Sequence, residues 1–171
     1  MWLGLSLFYV GAVLFLNGLW MLGKIADKEI WVINIFTGVV SLCIGLASIF
    51  GPAADAASVK SGALTLLFAF TYLWVAFNRF SGADGRGLGW FSLFVAITAV
   101  PVALDTLTSA SSGLDWWMGV NWAAWAVLWA LFFALLALRK SIERPTGWLC
   151  IAQGVLTGWV PGYLILAGKL M

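Results

Sequence analysis

The chain contains six long runs of apolar residues, and short breaks with charged residues, proline or glycine separate each run from the next. The runs extend over residues 2–23, 31–50, 61–78, 88–104, 117–138 and 147–168. About 20 apolar residues in a helix cross the hydrocarbon core of a bilayer. The pattern therefore predicts an all-α polytopic membrane protein, with six transmembrane helices in one bundle and a single transmembrane domain over residues 1–171.

The distribution of basic residues predicts how this bundle faces the membrane. Seven of the nine Lys and Arg residues occur at the first, third and fifth breaks. These residues are Lys24, Lys28, Arg79, Arg86, Arg139, Lys140 and Arg144. Because cytoplasmic loops carry an excess of Lys and Arg, these three breaks are expected in the cytoplasm. Both termini are then expected on the outer side.

The charged residues also exclude several classes of function. All sixteen Lys, Arg, Asp and Glu residues lie in breaks or at span ends, and the chain has no histidine. Ion pathways and proton relays are usually marked by ionisable residues inside spans. The sequence also lacks a carboxylate pair within a span, a cluster of metal ligands and a glycine-rich phosphate loop. We therefore expect no enzyme, no metal, no cofactor and no nucleic-acid partner.

Two stripes follow the first span. One repeats at steps of three and four residues, which places its members on one side of a helix. Its members are Leu3, Leu7, Val10, Leu14 and Asn17. The second stripe consists of Gly4, Gly11 and Gly18, about a quarter turn away, and small residues at this spacing indicate a close contact with another helix. The first stripe is compatible with helix packing, with lipid contact or with a solute path.

Aromatic and amide residues share faces on three later spans. The fifth span places Trp122, Trp125 and Trp129 within a narrow arc, with Leu128 beside them. Phe68 and Tyr72 are four residues apart on the third span, and Gln153 and Thr157 are four apart on the sixth. Each pair alone is explained by helix packing or by an interhelical hydrogen bond.

Together, these faces suggest a column of indole rings, other aromatic rings and amide side chains, provided that they converge on one axis. Such a column suits a small, planar, neutral and polar solute. This solute could slide between ring faces, exchange hydrogen bonds with indole N–H, hydroxyl and amide groups, and carry no charge that needs a partner. An ion would meet no countercharge in the column.

Five segments of the chain resemble one known family. They are "LGLSLFYVGAVLFLNG", "LLFAFTYLWVAFN", "GWFSLFVAITAVPVA", "DWWMGVNWAAWAVLW" and "GVLTGWVPGYL". The chain is identified through them as a member of the urea/amide channel family (AmiS/UreI) of bacterial inner membranes. The resemblance implies a hexameric ring of protomers, each with its own path for passive movement of urea or short-chain aliphatic amides. It also implies a functional link to a cytoplasmic urease or amidase.

The resemblance further implies which residues line the path. They are Leu3, Leu7, Val10, Leu14, Asn17, Phe68, Tyr72, Trp122, Trp125, Leu128, Trp129 and Gln153. Gln153 stands where acid-gated urea channels of the family have glutamate, and the second break lacks the histidines of those members. The chain is therefore predicted not to be acid-gated.

Two other functions compete with a channel. In a Trp-rich membrane receptor or sensor for a small ligand, the same aromatic stripe would close a pocket instead of lining a path. An ion-coupled transporter is the third possibility, and it conflicts with the absence of ionisable residues inside the spans. The sequence separates the first two only by the polar groups spread along the proposed axis.

Overall fold

A computed structural model describes residues 1–170 as a bundle of helices with no strand among them. The first five spans are α1 (Trp2–Met21), α2 (Asp27–Phe50), α3 (Ala56–Ser81), α4 (Arg86–Thr108) and α5 (Gly113–Leu136). The sixth span covers Glu143–Leu166. All six are long and apolar enough to cross a membrane by length and composition. The all-α fold with six spans is thus confirmed.

Two helices, α3 and α5, begin earlier than the apolar runs predict, because polar residues cap their first turns. α3 begins at Ala56 instead of residue 61: the Asp55 carboxylate accepts from Ser58 N at 2.7 Å, and the Ser58 hydroxyl accepts from Asp55 N at 2.7 Å. Ser112 and Asp115 form the same reciprocal pair at the start of α5. Capping boxes satisfy N–H groups that a helix start leaves unpaired.

The sixth span is not one continuous α-helix. It consists of α6 (Glu143–Gln153), a π-helical segment (Gly154–Trp159) and α7 (Val160–Leu166). Pro161 follows the π-helical segment and has no N–H. In an α-helical register, the Thr157 carbonyl, four residues before Pro161, therefore lacks its donor. In a π-helical register, the Leu156 carbonyl, five residues before Pro161, lacks its donor. Both carbonyls accept bonds from α5 instead, at 3.1 and 3.2 Å.

The bundle is built from three antiparallel pairs: α1 with the sixth span, α2 with α3, and α4 with α5. In the first pair, glycines allow backbones to touch. A Cβ at Gly11 would collide with the backbone of Trp159 and lie 2.8 Å from the Gly154 carbonyl oxygen, and a Cβ at Gly18 would lie 2.5 Å from the Gly147 carbonyl oxygen. The glycine stripe of α1 is therefore a helix contact, as its spacing predicts.

The two ends of the bundle differ in charge. We call the end with the α1–α2, α3–α4 and α5–α6 connections the basic face, because seven Lys and Arg residues lie there. The opposite end, with both chain ends and the two other connections, is the terminal face; it has Lys60 and Lys169 as its basic residues.

We predict that Gly11→Ala destabilises the protein strongly, because its Cβ would meet backbone atoms of the π-helical segment that cannot move aside. Overpacking typically costs about 1–3 kcal/mol. Gly113→Ala is the matched control, since nothing lies within 4 Å of a Cβ at this position. Thermal unfolding in detergent should show a clear decrease in midpoint for Gly11→Ala alone. Equal midpoints would contradict a close backbone contact.

Candidate solute path

Two cavities enter the bundle from its two ends. The basic-face cavity has a volume of about 740 Å³, and its outer lining includes Arg79, Asp84 and Arg144. The terminal-face cavity has a volume of about 300 Å³, and its outer lining includes Trp2 and Lys60. The volumes are those of spaces that hold several small molecules.

Phe68 and Trp125 line both cavities and therefore lie between them. The Phe68 ring packs edge-on against three indoles of α5, with centroid distances of 5.9, 5.0 and 4.8 Å to Trp122, Trp125 and Trp129. Tyr72 lies next to it at 6.5 Å. We call these five residues the aromatic partition. Edge-to-face contacts of this kind stabilise ring clusters beyond their buried area.

The structure brings eleven of the twelve expected path residues onto the two cavities. Leu3, Leu7, Val10 and Trp122 line the terminal-face cavity, Leu14, Asn17, Tyr72, Leu128 and Trp129 line the basic-face cavity, and Phe68 and Trp125 line both. Gln153 lies outside the lining of both cavities. It is buried between α5 and the sixth span, where its Nε2 donates to the Ala124 carbonyl at 2.9 Å.

Four helices enclose the cavities on both sides of the partition: α1, α3, α4 and α5. The sixth span contributes only its first turn to the basic-face cavity and nothing to the other. α4 supplies lining residues that the sequence analysis missed: Leu88 and Ser92 on one side, Val102 and Thr106 on the other. These residues have no aromatic or amide signature that would have marked them in the sequence.

The indole N–H of Trp125 is already occupied. It donates to the Thr157 hydroxyl at 2.8 Å, and this hydroxyl donates to the Gln153 carbonyl at 2.6 Å. The expected exchange of hydrogen bonds between a solute and this N–H would require breaking a buried bond. Trp125 therefore offers its ring to the cavities, while Thr157 holds the ring in position from the π-helical segment.

Asn17 is held by a residue that the sequence analysis missed. Its amide pairs reciprocally with that of Asn34 on α2, with N–O distances of 3.1 and 2.7 Å. Asn34 is fully buried, and its Nδ2 also donates to the Ile30 carbonyl at 2.9 Å. This pairing fixes the orientation of the Asn17 side chain, which also lines the basic-face cavity.

Five of the hydroxyl groups that line the cavities donate to their own helices. Ser48, Thr65 and Thr106 in the terminal-face cavity bond the carbonyl four residues back at 2.9, 2.9 and 2.7 Å. Thr71 and Ser92 do the same in the basic-face cavity, at 2.7 and 2.8 Å. Because each hydrogen is used, the oxygen lone pairs remain as acceptors. Both cavities thus favour solutes that carry N–H or O–H donors.

Charged side chains occur only at the outer ends of the cavities. Lys60 at the terminal face lies 3.7 Å from Asp105. At the basic face, Asp84 lies between Arg86 and Arg139 at 2.6 and 3.2 Å. Hydrogen bonds from the Arg86 backbone and side chain, with smaller contributions from the charges of both arginines, lower the pKa of Asp84. The partition itself contains no ionisable carboxylate, Lys or Arg side chain.

Comparison with known proteins places this architecture in a family. The sequence model of the AmiS/UreI family transporters matches residues 2–169. The chain is 42% identical over 167 residues to a putative amidate substrates transporter protein of Mycolicibacterium smegmatis, which covers 97% of this chain and 77% of that protein. It is 36% identical over 189 residues to an acid-activated urea channel of Helicobacter pylori, with coverage of 95% and 96%.

The structural similarity extends over the whole bundle. The crystal structure of the Helicobacter pylori urea channel matches with a TM-score of 0.86 at 37% sequence identity, and the match covers 99% of each chain. The sequence match and the structural match both extend over nearly the whole chain, so this chain belongs to the AmiS/UreI family of membrane transporters.

Proposed function

We propose that this protein is a passive channel for urea or short-chain aliphatic amides, and that the solute crosses each protomer through the two cavities and the aromatic partition. The observation that carries the proposal is the position of Phe68 and Trp125, which line both cavities. A solute that passed between their rings would move from one end of the bundle to the other. One relative is an amidate transporter and another a urea channel, which supports this solute class.

The chemistry of the partition favours a neutral planar solute. Five aromatic rings offer apolar faces and edges, and a flat amide that passes among them brings no charge to desolvate. An ion would lose its hydration there without finding a countercharge. A file of water molecules would be interrupted by the rings, which opposes proton leakage. Hydroxyl oxygens in the cavities on either side accept from the N–H groups of the solute.

The proposed setting is the bacterial inner membrane. The excess of Lys and Arg at the basic face favours a cytoplasmic position for that face and an outer position for both termini. Apolar side chains such as Phe36, Phe77 and Ile97 are exposed on the outside of the bundle, where lipid or neighbouring protomers would cover them. The proposal that six protomers form a homohexamer rests on the family resemblance. The natural consumer of the solute would be a cytoplasmic urease or amidase.

We further propose that the channel is not acid-gated. Histidine is the side chain that ordinarily titrates between pH 5 and 8, and the chain has none. On the terminal face, hydrogen bonds from Ser58 lower the pKa of Asp55. Asp105 pairs with Lys60, and the Asp115 carboxylate accepts from Ser111 and Ser112. The lowered pKa of Asp55 means that mild acid leaves the charge of this carboxylate unchanged.

Flux through proteoliposomes tests the channel directly. Wild-type protein should carry urea and acetamide faster than glycerol, because glycerol lacks a planar amide. Trp125→Ala should raise glycerol flux several-fold and reduce this selectivity, since the variant opens the partition. Thr157→Val, which removes the acceptor of the Trp125 N–H but leaves the ring, should change selectivity in the same direction to a smaller extent.

Protein that binds acetamide tightly but shows no flux above that of protein-free liposomes would instead support a receptor. Unchanged selectivity in well-folded Trp125→Ala protein would assign the ring to packing alone.

We expect flux to follow the solute gradient without coupling to ions, because no carboxylate, Lys or Arg side chain lies in the partition. Proteoliposomes with an imposed pH or sodium gradient should equilibrate labelled urea and not concentrate it. Accumulation above the external concentration would rule out passive movement.

Uptake should stay nearly constant as external pH falls from about 7.5 to about 5. A carboxylate with a lowered pKa remains charged throughout this window and loses its charge only in stronger acid, and Asp55 is such a group. The measurement is initial urea uptake at each pH, with internal pH held constant. A reversible several-fold increase in uptake would show acid gating without histidine.

A further inference from the structure

Asn78 is a buried amide that the path described so far does not use. It lies in the last turn of α3, is only 4% exposed and lines the basic-face cavity. Its side chain makes no hydrogen bond to any other part of residues 1–170. A buried polar group without a partner costs free energy and usually has a ligand, water or function to explain it. The amide atoms of Asn78 reach the basic-face cavity and are open to water or to a solute there.

The surroundings of Asn78 leave its amide open to the cavity. The neighbouring residue Gly85 is the N-cap of α4, with φ +81°. It has no side chain, and a Cβ at this position would lie 3.9 Å from Asn78 Nδ2. Tyr72 and Val75 line the same cavity from the same helix. Asn78 thus continues the solute-facing side of α3 beyond the partition, towards the basic face.

Asn17 brings a second amide to the same depth. It lies four residues before the end of α1, and Asn78 lies three residues before the end of α3. With a rise of about 1.5 Å per residue, Asn17 is about 6 Å and Asn78 about 4.5 Å from the ends of two parallel helices. Asn17 is fixed by Asn34, whereas Asn78 is free to meet a solute.

A primary amide has a chemistry that matches the proposed solutes. Its carbonyl oxygen and one N–H point the same way, so two such groups can form a ring of two hydrogen bonds. Asn17 and Asn34 make this arrangement with each other at 3.1 and 2.7 Å. Urea and primary carboxamides present the same pair of groups. Hydroxyl solutes and trans secondary amides do not, since the N–H of the latter points away from the carbonyl.

We propose that Asn78 is a specificity-determining residue, which pairs with urea or a primary carboxamide in the basic-face cavity through two adjacent hydrogen bonds. The inference rests on the proposed channel function and specifies where the solute is recognised after it crosses the partition. At the mouth of this cavity, Asp84 is engaged with Arg86 and Arg139. Asn78 is the primary amide that α3 places in this cavity.

The test compares acetamide with N-methylacetamide, which differs by one methyl group and prefers the trans form. Flux of each is measured in proteoliposomes, above that of protein-free liposomes. Asn78→Leu has similar volume and no polar atoms, and it should lower the ratio of acetamide to N-methylacetamide flux about fivefold, as expected for the loss of one net hydrogen bond. Phe77→Leu, on the same helix but exposed on the outside of the bundle, is the matched control and should leave the ratio unchanged.

Asn78→Ser provides a second variant if the leucine variant does not fold, because a single hydroxyl is polar but cannot form the two-bond ring. It should lower the ratio less than Asn78→Leu. An unchanged or higher ratio in folded Asn78 variants, or an equal decrease for both solutes, would overturn the proposal and leave the channel intact. Absence of amide flux in the wild-type protein would instead refute the channel function itself.

Discussion

The architecture depends on how the backbone around Pro161 is satisfied inside a membrane. The bilayer core offers no water, so every carbonyl released from a helix must find a donor within the protein. Asn121 and Trp117 on α5 donate to the Thr157 and Leu156 carbonyls of the sixth span. These bonds fix how α5 is rotated about its axis. With this rotation, the three indoles of the aromatic partition face Phe68.

The same segment also fixes α1. Its π-helical backbone lies against Gly11, and no side chain separates the two helices at this point. One side of α1 therefore packs against the sixth span. The leucine stripe, about a quarter turn away, lines the cavities. The sixth span is therefore a support that positions both α1 and α5, although it hardly lines the cavities itself. Gln153 belongs to this support, through its bond to the Ala124 carbonyl.

Sequence patterns predicted those features that depend on regular helical spacing. Six spans follow from run length, the glycine contact follows from its seven-residue steps, and Trp122, Trp125 and Trp129 share a face because a helix has 3.6 residues per turn. The π-helical segment was missed, because it depends on a contact with α5 that is 36 residues away in the chain. The lining by α4 was missed because small and aliphatic residues face lipid, helices and cavities alike. The partner of Asn17 was missed because two isolated asparagines carry no periodic signal.

The sequence analysis expected the tryptophans to offer a solute both ring faces and N–H donors. Because the Trp125 N–H is already hydrogen-bonded, Trp125 offers its ring alone. A ring whose donor is buried in a bond to Thr157 can exclude solutes by shape and charge, but it offers them no polar contact. Polar groups with unused capacity lie in the cavities on either side, as hydroxyl oxygens and as the amides of Asn17 and Asn78. In the proposed path, a solute would form no hydrogen bond with the Trp125 N–H and would find polar partners in the cavities on either side. For a neutral amide the loss of hydration is modest, whereas an ion would lose far more hydration energy. Under the proposed function, an aromatic partition between two polar cavities would favour uncharged solutes without any charged filter.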